Sequence, residues 1–172
     1  MSRAFVKEDD QSKASAELPE RPQSPHPNYV TPKGLADLER CFETLTAERS
    51  ALSHEDSALT QEATRSRIDR DLRYLAARIE AAIPVDPALQ PRGEVAFGAT
   101  VRVFDPEGRE RVFTIVGEDE ADVATGKVSW VSPLARALLG ASVDDTVTWK
   151  RPSGDADLEI ASIDYEPPAN PT

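Results

Sequence analysis

From Leu35 onward the apolar residues recur at helical spacing. Leu35, Leu38, Phe42, Leu45 and Leu52 fall three, four or seven positions apart, with Arg49 in the one gap. Thr31-Pro32, just before them, is an N-cap followed by a proline at the first helical position. A second series, Ile68, Leu72, Leu75, Ile79 and Ala82, repeats the pattern, and the register fails between the two around Ser53 to Ser57. Each series forms one narrow seam, which predicts an antiparallel helical hairpin of coiled-coil type with a short connection. The hairpin is expected to end at Ile83-Pro84, because proline disfavours helix in the residue before it.

Beyond it the period changes to two. Pro84 to Gly93 is proline-rich and reads as a stiff linker. Val101 and Val103, then Val112, Thr114 and Val116, alternate on either side of an Asp105-Pro-Glu-Gly108 turn, the pattern of a β-hairpin. Val128-Ser-Trp130 is a short strand. Ser132-Pro133 caps a brief helix, Leu134 to Leu139, which Gly140 stops. Thr146 to Trp149 and Leu158 through Ile160 to Tyr165 are two further strands, joined through Pro152-Ser-Gly154. The expected fold class is therefore α+β: an N-terminal antiparallel coiled-coil hairpin and a C-terminal small, mostly antiparallel β domain with one short helix. Residues 12–27 are polar and broken by prolines, and read as a solvated tail or as a tether for a partner. The divisions are a disordered extension (1–28), the hairpin (29–84), the linker (85–93), the β domain (94–166) and a disordered tail (167–172).

Composition narrows the functions. A chain of 172 residues holds one ordinary domain or two small ones. Acidic side chains number 31 against 20 basic ones, a net charge of -11, whereas an autonomous duplex-DNA binder needs a basic excess to neutralise phosphates. No run approaches the roughly 18 apolar residues of a membrane span, and the first residues lack the apolar stretch of a secretory signal. The one cysteine, Cys41, excludes an internal disulfide and makes a reducing cytoplasm the simplest location.

Conventional catalytic sets are nearly absent. His26 lies in the extension and His54 at the turn of the hairpin. Cys41 and His54 are about 20 Å apart if the segment is helical, too far for a thiol–imidazole pair. There is no glycine-rich phosphate loop and no His-Glu-x-x-His. Two features stand out. Ser53-His54-Glu55-Asp56-Ser57 sits where the chain reverses. It reads either as helix punctuation with capping-box spacing or as a pair of carboxylates, Glu55 and Asp56, that could bind a hard divalent cation held elsewhere. The second helix carries Arg65, Arg67, Arg70, Arg73 and Arg78 among Asp69, Asp71 and Glu80. That is either a phosphate-binding face or ordinary helix-surface pairing. The aromatics Phe97, Phe104, Phe113, Trp130, Trp149 and Tyr165 fall mostly at strand positions, as core does, although a prolyl-isomerase pocket would also be lined by aromatics.

Val128-Ser-Trp-Val-Ser-Pro-Leu-Ala-Arg-Ala-Leu-Leu-Gly140 closely resembles the Ser-Pro-x-Ala-Arg-Ala-Leu-Leu-Gly segment of the bacterial Gre transcript-cleavage factors, GreA and especially GreB. Phe97 to Val101, Phe113 to Glu120 and Ile163 to Tyr165 fall in the family's order around it. Arg67 to Leu75 and Val85-Asp86 resemble the second helix and its exit, and Tyr29 to Leu35 the family's opening. The resemblance covers about residues 29–166 and implies a coiled coil joined to a domain similar to FK506-binding proteins. It further implies that the C-terminal domain grips RNA polymerase at the rim of its secondary channel while the coiled coil enters that channel. Acids at the tip then help hold a magnesium ion in the polymerase active centre, and the polymerase itself cuts backtracked RNA. The implied factor is a monomer and not an enzyme, has no cofactor or stably bound metal of its own, and meets nascent RNA only inside the polymerase complex, away from any membrane. For docking, the expected residues are Trp130, Ser132, Pro133 and Arg136.

The tip departs from the family. The usual string, Asp, two residues, then Glu-Asn-Ala-(Glu or Asp)-Tyr, does not occur, and ungapped counting from Arg73-Tyr74-Leu75 puts Ala51 and His54 at the acidic positions. The stretch between Thr31 and the tip is short by roughly fourteen residues; shared by both arms as about one heptad each, that keeps the seam and shortens the rod by about 10 Å. Glu55 and Asp56 then stand at the reversal as acids in kind. Cleavage stimulation and channel occupancy without cleavage, as in the short-hairpin regulators of nucleoside diphosphate kinase, both remain open. Outside the family, a prolyl isomerase and a structural hairpin adaptor are the alternatives.

Overall fold

The computed structural model describes residues 18–52 and 58–165. Helix α1 spans Pro32–Ala51 and α2 spans Ala58–Glu80. Thr31 caps α1, its Oγ1 accepting from Gly34 N at 3.0 Å, and Pro32 occupies the first turn, where its missing N–H has no intrahelical partner to lose. The two helices pack side by side in opposite directions. Leu38, early in α1, shares an apolar cluster with Leu75, late in α2, while Arg49 near the far end of α1 pairs with Asp69. Arg49 thus closes the gap in the apolar seam with an interhelical ion pair. Ile68 and Leu75 are buried, with Leu35, Phe42, Leu45 and Ile79 half-buried beside them.

The exit of α2 differs from expectation. The helix stops at Glu80, and Ala82–Pro84 forms strand β2, paired in parallel with β1, Asn28–Val30. Ala82 therefore belongs to a strand, although its spacing continued the helical series. Two three-residue strands carry too few positions to show a period, and they exist through each other. Asn28, buried in β1, donates from Nδ2 to the carbonyl of Arg78 at 2.7 Å, which satisfies a last-turn carbonyl that has no intrahelical donor.

The C-terminal part is a five-stranded sheet in the order β5-β4-β3-β7-β6. Its strands are β3 (Ala99–Phe104), β4 (Glu110–Val116), β5 (Lys127–Ser129), β6 (Thr146–Trp149) and β7 (Ala156–Tyr165). All neighbours are antiparallel except β4 with β5. Helix α3, Pro133–Leu138, places Leu134, Ala135 and Leu138 against Val101, Val103, Ile115, Leu158 and Ile160. The β-hairpin forms at the expected turn, where the Asp105 carboxylate accepts from the backbone of Glu107 and Arg109.

The two faces of β4 are buried unequally. In β4 Phe113 and Ile115 pack against the sheet core and Val116 is also buried, while Val112 is 44% exposed and Thr114 bonds Thr100 on the neighbouring strand at 3.0 Å. Val112 to Val116 carries apolar residues at both parities, and the side holding the larger phenyl and isoleucyl groups buries more area against the core. In β7 the parity itself changes. Ala156, Leu158 and Ile160 face inward, then the register shifts opposite Arg102 and Val103, and Ile163 and Tyr165 take over the inward side. A bulge at Ala161 supplies the extra residue that this switch requires.

Residues 18–27 carry no helix or strand, as their prolines dictate, yet they lie against the fold. Glu20 pairs with Arg73, and the Arg21 guanidinium sits 3.7 Å above the Tyr74 ring.

Candidate functional site

Three places bear on function: the apex of the helix pair, the loop that enters α3, and the seam between the helices and the sheet. The apex residues Glu55 and Asp56, with His54, lie outside the described residues. The structure describes the arms that lead to them.

The α3 loop is built from its cap. Ser132 Oγ accepts from Ala135 N at 3.2 Å, Pro133 occupies the first turn, and three apolar side chains of the helix are buried in the core. That leaves Pro133 and Arg136 exposed and Ser132 partly so. The leucines plug the sheet while Arg136 points to solvent. Trp130 has a different setting. It is half-buried, with the Tyr29 ring edge-on at 5.0 Å and the His26 ring edge-on at 6.0 Å between centroids. Its Nε1–H is buried without an acceptor among the described residues. The four proposed docking residues are thus neighbours in space, but the indole is already covered on one side by the chain's own residues 26–29.

The seam is the feature that pattern reading missed. After β4 the chain makes a short 3-10 turn, Glu118–Glu120, whose three acids meet the ends of both helices. Glu120 accepts from Thr31 N at 3.0 Å, from the Thr31 hydroxyl, and from Gly117 N at 3.2 Å. A carboxylate at the start of α1 also meets the positive end of the helix dipole. Gly34 makes room for it. A Cβ there would overlap the carboxyl group, 2.5 Å from Oε2 and nearer still to the carboxyl carbon. Gly117 allows the other close approach, since a Cβ on it would stand 2.5 Å from the Tyr29 carbonyl oxygen.

Asp119 meets the end of α2. It accepts from Arg78 Nε and from the Tyr74 hydroxyl, each at 2.6 Å. Arg78 is 3% exposed; it also donates to Asn28 and stands 3.8 Å from Glu118. Burial first, then the bond to Asp119, pushes the Tyr74 phenol above its ordinary range. Of the arginines on α2, Arg78 therefore belongs neither to a phosphate-binding face nor to helix-surface pairing: it is the buried bolt between helix and sheet. Arg70 fits the pairing alternative, bonding Asp71 at 3.0 Å. The signal for the seam lay in Phe113 to Glu120, a segment singled out for its resemblance and not for any chemistry of its own.

The other candidates are dispersed. Cys41 is exposed on α1. The aromatics divide among three places: Phe113 with Trp149 at 6.4 Å, Phe97 and Trp130 about Tyr29, and Tyr165, whose hydroxyl donates to the Glu94 carbonyl at 2.6 Å. Phe104 is 37% exposed. They do not converge on one concave surface. Among the described residues no helix is long and apolar enough to cross a membrane, and no group of three or more His, Cys, Asp or Glu is placed to hold a metal ion.

Residues 90–165 match the family model described as transcription elongation factor GreA/GreB, C-terminal. Transcription elongation factor GreB of Neisseria meningitidis serogroup B is 37% identical over 153 residues, spanning 80% of this chain and 94% of that protein. GreB of Yersinia pestis is 38% identical over 154 residues, spanning 81% and 90%. In both alignments the aligned length exceeds the share of this chain it covers, so the relatives carry extra residues inside the matched span. A solved GreA/GreB structure from Nitrosomonas europaea aligns at TM-score 0.40 and 26% identity over 80% of this chain and 99% of that one. With two GreB relatives matched over nine-tenths of their own length or more, the chain belongs to the GreA/GreB family of transcription elongation factors.

Proposed function

We propose that this elongation factor works on RNA polymerase as a two-part tool. The sheet domain, similar to FK506-binding proteins, grips the rim of the secondary channel, and the helix pair acts as a coiled-coil probe inside it. The observation that supports this is the seam. Glu120 holds the start of α1 and Asp119 holds the end of α2, so both helices leave the sheet domain in a direction that the domain fixes. The 20 residues of α1 make a rod of about 30 Å at 1.5 Å per residue. Rigid anchoring matters because a tip acting on chemistry inside another protein must arrive within a fraction of an ångström. Trp130, Ser132, Pro133 and Arg136 form the docking loop, with Arg136 free to fork onto an acidic partner.

At the apex, Glu55 and Asp56 add carboxylate ligands to a magnesium ion that the polymerase holds. Such an ion would supply activation of water and stabilisation of the leaving oxygen for the polymerase's own cleavage of backtracked RNA. The factor is then an accessory without a catalytic centre. The test is a purified polymerase stalled on a backtracked transcript. Shortened RNA should appear with the full chain and fall by at least tenfold with Glu55→Ala plus Asp56→Ala, while binding is unchanged.

Channel occupancy without cleavage is the second possibility, favoured by the extra residues that both GreB relatives carry inside the matched span. In that case saturating factor slows elongation and yields no shortened RNA.

A further inference from the structure

The segment before β1 lies across the surface that the docking loop needs. Glu20 Oε1 accepts from Arg73 at 3.0 and 2.5 Å, and Arg21 stacks on Tyr74. Further along, His26 meets the indole of Trp130 edge-on. The segment therefore runs as a strap from the middle of α2 to the start of the α3 loop. Prolines at 19, 22, 25 and 27 restrict its conformations before it docks, so little entropy is lost on ordering.

Its hold is weak by construction. The Glu20 and Arg73 side chains are 62% and 58% exposed, and ion pairs that open to water contribute little. A groove of about 440 Å³ remains between residues 22–26 and Tyr74, Arg78 and Val131. The indole N–H of Trp130 is buried without an acceptor among the described residues, which costs the packed arrangement further. Nor is the strap needed to join helices to sheet, since Glu120, Asp119 and Arg78 do that, through a buried guanidinium and carboxylates whose side chains are largely shielded.

Resting on the docking loop proposed above, we infer that residues 18–27 are an autoinhibitory strap, a displaceable cover over Trp130 that RNA polymerase must lift in order to dock. Apparent affinity for the polymerase is then reduced by the fraction of molecules in which the strap is closed.

Equilibrium binding to core RNA polymerase, with full-length protein throughout, separates the cases. Glu20→Ala with Arg21→Ala and His26→Ala should bind about fivefold more tightly than the unaltered chain, the size expected from losing a few exposed contacts. Glu20→Lys alone, which sets like charges together at Arg73, should move affinity the same way. In a Trp149→Phe background Trp130 is the remaining indole, and strap release should change its emission before any polymerase is added. Arg136→Ala should weaken binding. Unchanged or weaker binding of the release variants, with Arg136→Ala still harmful, overturns the strap and keeps the docking loop. Tighter binding on release with Arg136→Ala harmless keeps the strap and moves the docking surface away from Arg136. No effect in any variant overturns both.

Discussion

The carboxylate of Glu120 accepts the backbone N–H of Thr31 at 3.0 Å across 89 positions of sequence, and takes the Thr31 hydroxyl as well. Thr31 in turn caps α1 through Gly34 N. One acid of the sheet domain thus finishes the cap of the first helix. Glu120→Ala should lower stability by about 1–3 kcal/mol, because it strands half-buried donors at a helix N-terminus. Thermal or urea unfolding of the full chain measures it. A loss within error would mean that the seam is held elsewhere.

Gly34→Ala supplies a sharper check. Alanine inside a helix ordinarily stabilises by about 0.5–1 kcal/mol over glycine. Here the new methyl would occupy the space of the Glu120 carboxyl group, so the sign should reverse. In a Glu120→Ala background the same change should become stabilising. The double-mutant cycle reads the coupling directly, and additive effects would contradict the close packing.

Arg78 predicts the largest loss. Replacing it with alanine leaves Asp119 and the buried Asn28 without their main donor, at a cost of about 2–4 kcal/mol. Arg78→Lys should recover only part, since an ammonium cannot reproduce the fork that reaches both partners. Urea midpoints at constant slope would rank the three proteins.

Asp105 sets a pH dependence in the β-hairpin turn. Burial works against its charge, but the backbone N–H and guanidinium of Arg109, with the Glu107 N–H, outweigh burial and hold the carboxyl below the usual range. A carboxylate with a lowered pKa in the folded chain stabilises above about pH 4, and that stability is lost as pH falls through the folded value. Asp105→Asn should therefore be less stable at neutral pH and show a shallower acid decline. Parallel pH–stability curves for the two proteins would refute the assignment.

Local signals read well. Thr31-Pro32 and Ser132-Pro133 each cap a helix where expected, and Asp105 to Gly108 turns the β-hairpin, because capping and turn chemistry act within four residues. The alternation of Val112, Thr114 and Val116 marks a strand but does not say which face is buried, because β4 carries apolar residues at both parities and the choice rests on what lies opposite. The spacing of Ala82 continues the helical series because nothing nearby announces β1, which precedes it by more than fifty residues. Arg78 looks in sequence like the other arginines of α2, and no neighbour marks it as buried.

Sequence alone determined the two apolar periods, the caps, the acidic balance and the family, since each depends on residue identity or short-range spacing. Tertiary structure alone decided how helices and sheet are joined. Glu118 to Glu120 form an ordinary acidic turn until folding brings Thr31, Tyr74 and Arg78 beside them. Hydrogen bonds and burial between distant segments arise only when the chain closes on itself, and a linear pattern carries no trace of that closure.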